Sequence, residues 1–153
     1  MKDAFFADYL ERLENLQNGL KEAIQDLPPE AADWSPGPEM NSIGVLIAHT
    51  AGSLRYWIGD VVLDEPSGRV RAHEFQTRGL SGAELLPRLD AALDYARSAL
   101  LRMRVEDLAQ EIHTEEGDVF TRGWALLHAL EHSYLHLGHI QLTAQFWKEN
   151  QLH

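Results

Sequence analysis

Apolar side chains recur at three- and four-residue intervals along four stretches of this chain, each bounded by residues that start or stop helices. From about Lys2 to Asp26 the set is Phe5, Phe6, Tyr9, Leu13, Leu16, Leu20 and Ile24, the spacing of one helix face. Pro28 and Pro29 end it, because proline lacks the amide donor that a continuing helix needs. Leu27–Met40, with four prolines and a glycine, reads as a loop anchored by Trp34. Asn41 and Ser42 are good N-cap residues for a second helix reaching about Leu63. Pro66 and Gly68 open a mixed-charge connection that runs to Gly79.

Ser81 and Glu84 stand at capping-box spacing ahead of a third helix. Leu85, Leu86, Leu89, Ala92, Leu93, Ala96 and Leu100 form its apolar face to about Arg102, and Pro87 in the second turn is expected to kink it. The polar stretch Glu106–Asp118 leads to Thr121, the predicted N-cap of a fourth helix ending near Trp147. No strand-like alternation exceeds a few residues, and no internal repeat is visible. The pattern predicts an all-α fold: one domain over 1–153, a four-helix bundle with long crossover connections.

Composition narrows the partners. At 153 residues the chain suits a single core burying about 68–70% of its unfolded surface. It has 13 Lys+Arg against 24 Asp+Glu, a net charge of −11, and no basic cluster. Nucleic acid and anionic membrane surfaces are therefore not expected partners, since both require concentrated positive charge. The longest apolar stretch, Ile43–Leu63, is broken by His49, Arg55 and Asp60 and makes a poor membrane span. The N-terminus carries acids and periodic apolar residues where a signal peptide would have an apolar core. With no cysteine, the chain has neither disulfides nor a thiol nucleophile. A cytoplasmic location fits all of this.

The eight histidines change the picture. His128, His132, His136 and His139 lie within about 80° of one another around the fourth helix. Two imidazoles at i and i+4 can reach one metal ion, and a third ligand must come from elsewhere. His49, inside an apolar run of the second helix, is the candidate, with Ser53, Tyr56 and Asp60 following within about 40° of the same face. Three imidazoles with an open fourth position describe a catalytic type of site. Core histidines or a solvated histidine face are the plainer alternatives. The flanking Trp124, Leu127, Leu130, Leu135 and Leu137 argue against a solvated face. His128-Ala-Leu-Glu131-His132 matches an inverted zinc-protease motif, but few residues follow it to supply another ligand. Neither the Glu-x-x-His pairs of a di-iron bundle nor a serine elbow is present.

Trp34-Ser35-Pro36-Gly37-Pro38, then Asn41 to His49, Trp57-Ile58-Gly59, and far downstream Glu131-His132-Ser133-Tyr134-Leu135-His136-Leu137-Gly138-His139-Ile140 together resemble the DinB-like (damage-inducible, YfiT-type) superfamily over nearly the whole chain. The resemblance implies a four-helix bundle holding a divalent transition metal, zinc or nickel foremost, through His49, His132 and His136. It also implies a homodimer and thiol-dependent transferase or isomerase chemistry, with a low-molecular-weight thiol such as bacillithiol, mycothiol or glutathione. His139 stands where the family commonly has Gln. It either hydrogen-bonds a ligand or is a tolerated polar substitution. His128 is an alternative ligand to His136, whereas His132 belongs to either pair.

Two functions follow as expectations. One is a metal-dependent enzyme acting on a small electrophilic substrate, with Ser53 or Tyr56 positioning it and no dedicated general base, Asp60 lying about three turns from His49. The other is a non-catalytic dimeric bundle that binds metal or a small ligand for sensing or storage.

Overall fold

Helix α1, Ala4–Ile24, buries Phe6, Tyr9, Leu13, Leu16, Leu20 and Ile24, the face its periodicity predicts. The computed structural model describes residues 3–153; Lys2, the expected first helical residue, lies outside them. The expected loop after Pro28 contains a short helix, α2 (Pro29–Asp33), which buries Ala31 and Ala32. Its proline sits at the first helical position, where the missing N–H has no helical partner to lose.

Helix α3, Ile43–Arg55, is capped by Ser42, whose hydroxyl accepts from the Val45 amide at 3.2 Å. The predicted helix continues to Val62, but Tyr56–Val62 is π-helical. Bonding i→i+5 there breaks the count of about 100° per residue, so Asp60 leaves the face that spacing gives it beside His49, whereas the Tyr56 amide still bonds back to the Gly52 carbonyl in the α manner.

In the next connection, Arg71–Glu74 forms helix α4. Helix α5, Gly82–Leu101, carries the predicted capping box and continues through Pro87 without interruption. Gly82 lies so close to the end of α1 that a Cβ there would be 1.5 Å from the Ile24 carbonyl oxygen. That contact sets the two helices in place.

The stretch expected to be merely polar holds a 3₁₀ turn, Val105–Ala109, and a small antiparallel hairpin. Strand β1, Glu111–His113, pairs with β2, Val119–Thr121, with Ile112 opposite Phe120. Gly117 takes the left-handed conformation at φ 94° in the turn. Helix α6, Arg122–Gln151, starts at the predicted cap Thr121 and runs four residues past Trp147.

The four long helices are those the periodicity predicts. α3 packs against α5 and α6, and α1 packs against the same two, so α1 and α3 lie on opposite sides of the bundle. One hydrophobic cluster joins all four. No helix among the described residues is long and apolar enough to cross a membrane.

Candidate metal centre

The site forms where α3 faces α6. His49 stands midway along α3 and is buried, while His132 and His136 project from successive turns of α6 and are half-buried. Nε2 of His132 lies 3.2 Å from Nε2 of His49 and 3.2 Å from Nε2 of His136. One nitrogen from each ring falls within 4.8 Å of the others, a grouping able to hold a metal ion.

The far side of the His49 ring fixes its tautomer. Nδ1 lies 3.0 Å from Oε1 of Glu74, and a carboxylate only accepts, so Nδ1 carries the hydrogen and Nε2 turns a lone pair toward the other two rings. Glu74 is itself buried and held by two nitrogens of Arg69, Nε to Oε2 at 2.7 Å and Nη2 to Oε1 at 2.8 Å. Gly52, one turn after His49, makes room for this carboxylate, since a Cβ there would sit 2.0 Å from Oε2. His139, exposed on the next turn, stands beside His136, Nδ1 to Nδ1 at 3.3 Å, and can either donate or accept there. His132 differs: its Nδ1 is buried with no partner.

Burial above all, then the proximity of His49, holds His132 down at about 4. Burial followed by His132 holds His136 at about 4. Both values lie below the ordinary 6.5 of histidine, so acidification drives protons onto the unfolded chain first. The stability gained from keeping these rings neutral is complete above about pH 6.5 and is lost as pH falls toward 4. The melting temperature of chelator-treated protein is expected to drop across that window. A His132→Gln/His136→Gln variant should show a flatter profile over the same range.

The remaining sequence candidates sit elsewhere. The ring of His128 is stacked on Trp124 at 5.1 Å and lies 4.5 Å from Trp57, outside the triad. Glu131 is exposed and lines a groove with Arg12, Leu127 and Tyr134, so the protease-like motif does not bring its acid to the histidines. Ser53 is buried in α3. Tyr56 is partly exposed in a groove against the hairpin, and Asp60 accepts from Arg55 and from the amide and hydroxyl of Ser67. Of the apolar flank on α6, Leu137 is buried and Leu130 half-buried, but Trp124, Leu127 and Leu135 are exposed. Nothing in the sequence pattern singles out Glu74 and Arg69. The glycine at position 52 is the one local trace of the carboxylate.

A bundle that gathers one histidine from its second long helix and two from its last around a common point defines a class of helical proteins with a candidate metal site. The chain belongs to the DinB superfamily, whose family model matches residues 12–140. Among solved structures, a conserved protein from Enterococcus faecalis superposes with a TM-score of 0.74 at 18% identity, covering 95% of this chain and 96% of its own. A DinB-like protein from Bacillus cereus gives 0.76 at 13% identity, covering 92% and 91%. YfiT from Bacillus subtilis, described as a probable metal-dependent hydrolase with an unusual four-helix bundle topology, gives 0.74 at 13% identity, covering 97% and 90%. At these identities the likeness establishes the fold. Among curated proteins none matches the chain.

Proposed function

We propose that the protein is a metal-dependent enzyme in which His49, His132 and His136 hold one divalent transition ion, zinc or nickel, for attack of a low-molecular-weight thiol on a small electrophile. The convergence of three Nε2 atoms, one of them committed as a lone pair by Glu74, carries this reading. With Nε2 of His49 a lone pair, a hydrogen on Nε2 of His132 could serve only one of its two neighbours, and the buried Nδ1 of His132 has no partner, so the chain does not satisfy this polar set by itself. An ion bound by three imidazoles lowers the pKa of water or of a thiol and so supplies an anionic nucleophile near neutral pH.

The protein's own groups do the rest. Glu74 takes the Nδ1 hydrogen of His49, which fixes that ring and raises its basicity. Phe75 shields the buried edge of His49 at 5.4 Å. A cleft of about 250 Å³ opens beside His136, lined by Met40, Asn41, Leu46, His139 and Phe146, and would take the small substrate. Lacking cysteine, the chain must receive its thiol from solution.

The test pairs metal content with turnover. Plasma mass spectrometry of untagged protein should find about one equivalent of a transition metal per chain, absent from a helical His49→Ala/His132→Ala variant. The loaded wild type should then consume an electrophile at a rate set by thiol concentration. Metal without turnover would favour a binding or storage role, turnover independent of thiol a hydrolase like that described for YfiT, and absence of metal after add-back would reject the site.

The homodimer belongs to the same reading. Trp124 and Leu135 are both exposed and fall within about 20° of each other around α6, clear of the substrate cleft, on a face that a second copy would cover. Leu135→Asp is expected to convert a dimer to a monomer in analytical ultracentrifugation, with helicity unchanged. An unaltered sedimentation coefficient would place the interface elsewhere.

A further inference from the structure

A second cavity, of about 710 Å³, opens to solvent beside α3, bordered by residues 66–74 and walled by α5, and none of His49, His132 and His136 lines it. Its lining differs from the rest of the molecule. In a chain of net charge −11, it gathers Arg55, Arg69 and Arg88 around one space, and Glu74 is its only acid.

The three arginines differ in how far they are neutralised. Arg55 donates through Nη1 to Asp60 and through both Nη atoms to the Glu65 carbonyl, with its guanidinium 3.8 Å over the Tyr95 ring. Arg69 grips Glu74 through Nε and Nη2, which leaves both hydrogens of Nη1 without a carboxylate partner. Arg88, on α5, has no carboxylate within ion-pair distance among the described residues. Side-chain exposure is 24% for Arg55 and 14% for Arg69, so these charges are only weakly screened by water. Between them the wall is built from small apolar groups, Ala48, Ala51 and Ala92. Guanidinium forks match the two oxygens of a carboxylate or phosphate, and the volume falls in the range of small-molecule sites, about 300–1,000 Å³.

We propose that this cavity binds a small organic anion, its carboxylate or phosphate group held by Arg88 and the free arm of Arg69 and its apolar part lying on the alanine wall. The site is separate from the histidine triad and does not depend on metal. The Arg69–Glu74 pair forms the partition between the two.

Titration of ¹⁵N-labelled protein at constant ionic strength, with sodium phosphate in one arm and sodium succinate in the other, tests this. Saturable shifts confined to residues 48–55, 66–74 and 88–95 are expected with at least one anion, and the tighter one identifies the group the cavity prefers. Arg88→Gln, an exposed change, should weaken binding about tenfold or more. His132→Ala should leave it unchanged, which separates this site from an anion seated at the histidines. No saturation with either anion, equal affinity in Arg88→Gln, or loss in His132→Ala alone would each overturn the proposal.

Discussion

His132→Ala is expected to lower metal affinity by roughly a hundredfold or more while leaving the bundle folded. Structural zinc sites with four ligands bind with about 10–16 kcal/mol, so one ligand accounts for roughly 3 kcal/mol, and about 1.4 kcal/mol is a factor of ten. The effect should exceed that of His128→Ala or His139→Ala, because His132 is the ring whose Nε2 lies 3.2 Å from both others. Stability should move the other way in metal-free protein. Removing His132 also removes a buried nitrogen without a partner, a group that costs about 1–3 kcal/mol in the folded state. Isothermal titration with zinc and thermal melts with and without chelator read both quantities. A variant that binds zinc like wild type would show that the triad is not the site.

Glu74→Gln should produce the second large change, in two measurable parts. Losing the carboxylate behind a ligating imidazole typically lowers metal affinity about 10–100-fold. It also leaves Arg69, half-buried, opposite a neutral amide; breaking a fully buried pair from one side costs about 3–5 kcal/mol, and the cost here is a smaller part of that. An Arg69→Met/Glu74→Gln double variant separates the parts: stability should largely return, because no lone charge remains, while metal affinity stays low. If the double variant regained affinity as well, Glu74 would serve only to hold the connection in place.

How far the chain could be read in advance follows from how local each determinant is. The four long helices, the caps at Ser42, Ser81 and Thr121, and the i, i+4 pair His132/His136 depend on neighbours within one or two turns, and all are legible. The hairpin, α2 and α4 are three to five residues long, and packing against the bundle decides them more than intrinsic preference does. The π-helical segment has an ordinary apolar pattern, so a wheel drawn through it puts Asp60 beside His49, whereas Asp60 pairs with Arg55 and Ser67. Glu74 arrives from 25 residues away in sequence, within a connection that resembles any solvated, mixed-charge loop. His139 shows the limit from the other side, since spacing alone allowed both a contact with His136 and none.

The π-helical stretch has one more consequence. Bonds from i to i+5 accommodate more residues along the same path than bonds from i to i+4, so Tyr56–Val62 behaves as an insertion stored inside a helix. Relatives shorter by one residue at this point have α geometry open to them, with the frame of α3 up to Arg55, and the aim of His49, preserved. Gains and losses of chain length in this bundle thus have a place to be absorbed just beyond the histidine, where they reshape the rim of the site and spare its centre.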